Sequence, residues 1–296
     1  MEWIGVLPAV TTQFDASGEL DQDAVRSHAQ WMVESGCKAI VALGSLGEGA
    51  TLSFEEKQAC LAANIEGAGG APVVASVSAL STNEAVRVAK MAEAVGCSGL
   101  MVLPPYAHRG PWRELAGHFG QVFEATSLPC MLYNNPIAYG LDVLPDQMVE
   151  LAERHSAMVA VKESSADVRR VTEIKRLAGD RLRISVGVDD LFVEGVAAGA
   201  VGWVAGLVNA FPVESVRLYE LATAGDAATA SQLYEWFLPL LRLDVIPEFV
   251  QAIKLVQQEV GRGHERVRAP RMTLQGPLRE HALEALRIAR SAYPAI

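Results

Sequence analysis

Eight short apolar runs recur along the first two thirds of the chain. They lie near residues 5–9, 38–43, 72–76, 99–103, 130–133, 158–162, 182–186 and 201–204. Amphipathic segments such as "NEAVRVAKMAEAVG" (83–96) stand between them. Runs this short and this apolar are strands covered on both faces, and the segments between them carry helical periodicity. Strands alternating with helices require a parallel sheet clothed in helices. Eight such units predict a closed (β/α)8 TIM barrel. An open doubly wound sheet is the rival, but no GxGxxG follows the first strand.

An internal repeat supports the alternation. "ESGCKAIVALGS" (34–45) resembles "AVGCSGLMVLPP" (94–105), and "AAGAVGWVAG" (197–206) repeats the pattern a third time. Each reads helix end, glycine, apolar strand, with glycine as the left-handed cap that turns the chain. Capping-box spacing predicts three helix starts, at Ser53 with Glu56, Ser81 with Glu84, and Ser164 with Asp167. After about residue 212 only helical patterns remain. Pro239 is expected to kink or end one of these helices, and Pro247 to occupy the first turn of another. The expected division is a barrel over 1–212 and a helical extension over 213–296 packed on it, since no polar linker separates them.

Composition narrows the function. The 296 residues are half hydrophobic and carry a formal net charge of −10. Such a chain repels phosphate backbones, so no nucleic-acid partner is expected. The basic stretch "GRGHERVRAPRM" (261–272) is expected to be a solvated face or a subunit contact. Residues 195–213 carry no charge, but Asn209, Pro212 and the abundance of Ala and Gly predict a buried core segment, not a membrane span. The N-terminus lacks a basic start and a cleavage site, and the four cysteines lack disulfide or zinc spacing. A reducing, cytoplasmic setting is expected. The six histidines show no HxH or HExxH spacing, so neither a metal nor another cofactor is expected.

The chemistry concentrates at strand ends. "AMVAVKESS" (157–165) closes an apolar strand with Lys162, and "CMLYNNP" (130–136) closes its neighbour with Tyr133. In a barrel these residues face the active-site mouth. A lysine among apolar walls loses hydration, its pKa falls, and its neutral amine attacks carbonyl or imine carbon. Tyr133 would move protons at the adjacent carbon. The alternative is a lysine that reaches a rim carboxylate such as Glu163, with a tyrosine that only packs. The loop "GSLGEGATLSFEE" (44–56) offers glycines whose backbone N–H groups converge on an anion, with Ser45 adding a hydroxyl. Asp189 and Asp190, in "SVGVDD", serve either a polar substrate group or, preferably, a helix cap.

"GSLGEGATLSFEEK", "LPPY", "LYNNP", "VKESS" and "GVDD", in this order, resemble the dihydrodipicolinate synthase/N-acetylneuraminate lyase family over nearly the whole chain. The resemblance implies a homo-oligomer, tetramer or dimer, acting on a 2-keto acid through a lysine Schiff base. It implies Lys162 as the nucleophile, Tyr133 as the proton carrier, Ser45 and Leu46 as carboxylate holders, and the backbone near Val204 against the ligand. The synthases read GTTGE where Ser45 and Leu46 stand here. They also carry a tyrosine where Ala107 stands, with Tyr106 and His108 beside it, and an arginine where Ala138 stands. "LPAVTTQF", "GWVAGLVNAFP" and "YEWFLPLLRLDVIPEFVQAIKL" resemble the subgroup of Δ1-pyrroline-4-hydroxy-2-carboxylate deaminases. A cyclic imine carboxylate is then the expected substrate, yielding 2,5-dioxopentanoate and ammonia. The alternatives are a retro-aldolase or dehydratase of a sugar-derived 2-keto acid, a 4-hydroxy-tetrahydrodipicolinate synthase, and a non-catalytic keto-acid-binding protein.

Overall fold

The computed structural model describes residues 1–294. Eight parallel strands form in the eight expected places: β1 (Gly5–Val6), β2 (Ile40–Ala42), β3 (Val73–Val77), β4 (Gly99–Val102), β5 (Cys130–Asn134), β6 (Met158–Glu163), β7 (Arg183–Val186) and β8 (Gly202–Trp203). The order β1-β8-β7-β6-β5-β4-β3-β2 runs round a ring. Backbone bonds from Lys38 N to Val6 O (2.9 Å), Val41 N to Pro8 O (2.8 Å) and Val10 N to Val41 O (2.9 Å) close β2 onto β1. The fold is a (β/α)8 TIM barrel with additional C-terminal helices.

The helices are α1 (Gln22–Glu34), α2 (Phe54–Ala68), α3 (Thr82–Ala94), α4 (Trp112–Glu124), a short α5 (Pro136–Tyr139), α6 (Pro145–Arg154), α7 (Arg169–Ala178), α8 (Phe192–Ala198) and α9 (Pro212–Ala224). The extension continues through α10 (Ala227–Leu241), α11 (Phe249–Glu259) and α12 (Gly276–Ser291). Helix α9 packs on α8 and β1, and α10 packs on α9 and α12. No described helix is long and apolar enough to cross a membrane. Residues 195–213 instead supply the end of α8, all of β8 and the start of α9.

The internal repeat is one cap used three times. Gly36, Gly96 and Gly199 have φ of +101°, +97° and +110°, a region that side chains strain to enter. At each, the following N–H reaches back five residues, from Cys37 to Met32 O, Cys97 to Ala92 O and Ala200 to Gly195 O. This double turn delivers the chain into the next strand.

Strand pleating sorts the side chains. Val41, Val74, Met101, Met131, Tyr133, Ala160 and Val204 belong to one core cluster inside the barrel, while Ile40, Val73, Leu132, Val161 and Trp203 join a second cluster beneath the helices. The four cysteines are buried and free, and burial pushes the Cys37 thiol up to about 12. Ser53 and Glu56 form the predicted capping box. Ser81 accepts from Glu84 N, but Glu84 pairs with Arg87 (3.5 Å).

Three local expectations are corrected. Ser164 caps nothing: α7 begins later, Val168 is its cap residue, and Asp167 instead accepts from Arg169 N. Pro247 precedes α11, whose cap is Glu248. The basic stretch is a solvated face only in part, because Arg266 and Arg268 turn inward while Arg262 stays exposed. Arg268 pairs with Glu56 and donates to Gly18 O, Arg266 donates to Phe14 O, and the Arg262 guanidinium lies 4.5 Å from the Trp31 ring centre. Pro239 is accommodated inside α10, which ends at Leu241.

Candidate active site

Lys162 and Tyr133 stand opposite each other in the β5–β6 register. Both point into the barrel, and the lysine Nζ lies 4.3 Å from the tyrosine ring centre. Only 6% of each is exposed. Gly187, just beyond β7, makes room for the lysine: a Cβ there would collide with Lys162 Cε and Ser164 Oγ. The alternative partner is excluded by the pleat. Glu163 faces away from the barrel interior, where it accepts from Asn134 Nδ2 (3.2 Å) and Ser165 N (2.6 Å). Among the described residues Lys162 forms no ion pair. Burial lowers its pKa, opposed first by the charge of Asp244, then by Tyr139 and Asp189. Burial raises that of Tyr133, whose hydroxyl accepts from Asn135 Nδ2 (3.1 Å).

Across the barrel, the loop after β2 carries Ser45 and Leu46. Among the described residues neither backbone N–H has a partner, while Glu48 N and Gly49 N close the turn on Ser45 O and Gly44 O. The loop thus presents two adjacent donors, with Leu46 buried. Its glycines serve close approach more than a nest: a Cβ on Gly47 would lie 2.8 Å from Val10 O, and one on Gly49 would collide with the Leu43 carbonyl. Ser45 Oγ hydrogen-bonds the Tyr139 hydroxyl. The Tyr139 ring meets Tyr133 edge-on at 5.8 Å and stacks with Tyr106 at 5.7 Å. Tyr139 therefore links the two halves of the site, a role unassigned from the sequence although it lies four residues after Asn135. His108 stands apart, bonded to Glu114 (2.6 Å).

Val204 lines the interior, but its N–H is committed to Val186 O (2.9 Å). Asp189 is neither a cap of its own helix nor open to substrate. It is fully buried and accepts from Trp203 Nε1 (2.9 Å), Gly206 N (3.1 Å) and Leu207 N (2.7 Å), pinning the loop after β8. Burial lifts its carboxyl to about 6. Asp190 faces Arg242 at 3.7 Å.

Glu48, the acidic residue of the GSLGEG loop, is a structural anchor. It has φ +52° and is fully buried against Lys254 of α11 (2.9 Å). Lys254 Nζ also donates to Thr12 O (2.9 Å), and Glu48 accepts from Arg268 N (2.9 Å). The loop that carries Ser45 and Leu46 is thus clamped by the C-terminal extension. A groove of about 480 Å3 lined by Phe123, Arg154 and His155 opens at the N-terminal ends of β5 and β6, the end away from Lys162, and holds none of these groups.

The chain as a whole matches a known sequence family. The dihydrodipicolinate synthetase family model matches residues 2–289. The 4-hydroxy-tetrahydrodipicolinate synthase of Mesorhizobium japonicum is 32% identical over 273 residues, covering 92% of this chain and 93% of that one. That of Agrobacterium fabrum is 31% identical over 283 residues, covering 95% and 96%. Among solved structures, the 4-hydroxy-tetrahydrodipicolinate synthase of Methylacidiphilum fumariolicum SolV superposes with a TM-score of 0.94 at 28% identity, covering 98% and 97%. The chain belongs to the dihydrodipicolinate synthetase family.

Proposed function

We propose that this family lyase deaminates Δ1-pyrroline-4-hydroxy-2-carboxylate through an imine on Lys162. The observation that carries the imine is a buried amine that forms no ion pair among the described residues, packed on Tyr133 and faced by the N–H groups of Ser45 and Leu46, which have no partner among those residues. Those donors take the substrate carboxylate, which sets C2 over Lys162 Nζ. The neutral amine adds to C2, and the C2–N bond to the ring nitrogen breaks with a proton going to nitrogen. The resulting imine acidifies C3. A C3 proton leaves through Tyr133, and the C4 hydroxyl leaves as water. Proton return to C3 at the expense of C5 gives the C5 enamine, which tautomerises and hydrolyses to an aldehyde and ammonia. A second water frees 2,5-dioxopentanoate from Lys162. The net reaction consumes one water. The Val204 backbone lines the wall beside this intermediate.

The substrate choice rests on the resemblance to the deaminase subgroup, and two absences of side-chain chemistry weigh against condensation. Ala138 on α5 supplies no planar clamp for a second carboxylate, and Ala107 supplies no hydroxyl. Condensation with a second carboxylated substrate is a second reading. It is favoured by the relatives named above and by the Arg109 guanidinium, which lies close to Gly140 beside the same turn. One assay separates them. The purified protein is given the pyrroline, then pyruvate with aspartate semialdehyde, and ammonia, pyruvate and aldehyde are scored separately. Ammonia release from the pyrroline with negligible condensation is expected. Efficient condensation with no ammonia defeats the deaminase reading, and cleavage of a sugar-derived 2-keto acid to pyruvate assigns the retro-aldolase alternative.

A further inference from the structure

Two carboxylates bear on Lys162, and the structure treats them differently. Asp189 is saturated with donors, as described above. Asp244 is not. It closes a 3-10 turn (Arg242–Asp244) after α10, outside the barrel strands; the backbone of Asp189 donates to it, and no side chain among the described residues adds a second donor. The turn is drawn to the mouth by Arg242 facing Asp190 and by contact with the loop after β7. Two glycines after adjacent strands clear the space. Gly187 accommodates the lysine stem, and a Cβ on Gly206 would collide with Asp244 Oδ1. The carboxylate therefore lies over the end of β8, as Lys162 arrives at the end of β6. It is partly buried.

We propose that Asp244 is a substrate-binding residue of the Schiff-base site, holding a hydroxyl or amino group on the substrate carbons beyond C3. The substrate carboxylate occupies the loop after β2 and C2 occupies Lys162, so the remaining carbons extend toward whatever wall still offers hydrogen bonds. Asp244 is the carboxylate on that wall with acceptor capacity to spare. Burial and the neighbouring Asp189 charge raise its carboxyl well above the ordinary carboxylate range, and its oxygens can accept from a substrate hydroxyl or amino group. In the proposed deamination it would meet the C4 hydroxyl that departs as water.

This inference rests on the imine reading but not on the deaminase reading, and its test keeps them apart. The full chain is incubated with pyruvate and borohydride, and 2-oxobutyrate or 4-hydroxy-2-oxobutyrate competes for trapping on Lys162. The wild type should favour the hydroxylated acid by about tenfold or more, the scale of a hydrogen bond to a charged or buried group. Asp244→Ala and Asp244→Leu should erase that preference, and Asp244→Asn, which keeps an acceptor, should restore part of it. Pyruvate labelling of Lys162 is the reference in each variant with an unchanged melting temperature, so the preference is read as the ratio of the two competitors and not as a labelling rate. No preference in the wild type, or a preference intact in both Ala and Leu variants, overturns the role of Asp244. Equal loss of both competitors with loss of pyruvate labelling in folded Asp244→Asn also overturns it, placing the effect on Lys162 alone. Absence of any pyruvate adduct in the wild type defeats the imine reading instead.

Discussion

Lys162 and Tyr133 are register partners on neighbouring parallel strands, with the ammonium nitrogen 4.3 Å from the ring centre. Two consequences follow for chemistry. The ring face replaces part of the lysine's lost hydration without supplying a counter-charge, and the phenol sits next to any carbon attached to Nζ. The pair thus sets an amine whose pKa burial lowers beside a phenol, the arrangement the proposed imine chemistry needs.

Borohydride reduction in the presence of pyruvate should add mass to the peptide containing Lys162, and Lys162→Ala should lose both label and turnover. Because burial holds the lysine below its ordinary 10.5, the trapping rate should rise with pH through a midpoint below that value. Label on another lysine, or a midpoint at or above 10.5, contradicts this.

Tyr133→Phe should slow turnover by about 10²-fold or more while adduct formation with pyruvate continues. Ser45→Ala should cost less, because the backbone N–H groups of Ser45 and Leu46 remain. Steady-state kinetics on the two variants test the order. A Phe variant with wild-type kcat would leave Tyr133 a packing residue.

Glu48→Ala strands a fully buried ammonium on Lys254. Removing one partner of such a pair costs about 3–5 kcal/mol. Urea unfolding should show that loss, and a Glu48→Leu, Lys254→Met double variant should recover much of it.

His28 is buried against Asn209 (2.7 Å), and burial lowers its pKa to about 4. The unfolded chain, near 6.5, binds the proton first, so this term is present above pH 6.5 and is lost as pH falls toward 4. The shift corresponds to about 3 kcal/mol. A His28→Gln variant, which cannot titrate, should therefore lose less stability than wild type between pH 7.5 and pH 4.5. A wild type that loses no more than the variant contradicts the assignment.

Leu80, beyond β3, and Ile137, on α5, are 60% and 72% exposed beside the mouth. Together with the oligomeric expectation drawn from the sequence, they predict elution well above the 31.7 kDa monomer. An active monomer at all concentrations in light scattering would contradict it.

The eight strands and most helices were legible because each is encoded locally. Apolar runs of strand length, helical periodicity and a glycine at +φ after the helix all act within a few residues. Lys162 and Tyr133 were legible for the same reason, since a polar residue closing an apolar strand advertises a mouth. Pairings across the chain were not. Glu48 sits in a loop that reads as an anion cradle, yet its partner Lys254 is 206 residues away. The arginines of 262–271 read as a surface run, but Phe14, Gly18 and Glu56 draw Arg266 and Arg268 inward. Asp189 and Asp190 read alike, and tertiary contacts alone separate the buried loop anchor from the partner of Arg242. Tyr139 and Asp244 carried no local signal either, because a tyrosine in a turn and an aspartate between helices are ordinary at those places. Spacing along the chain records periodicity and turn geometry. Which buried charge is neutralised, and which is left for a substrate, depends on what the closed barrel and its C-terminal clamp bring alongside it.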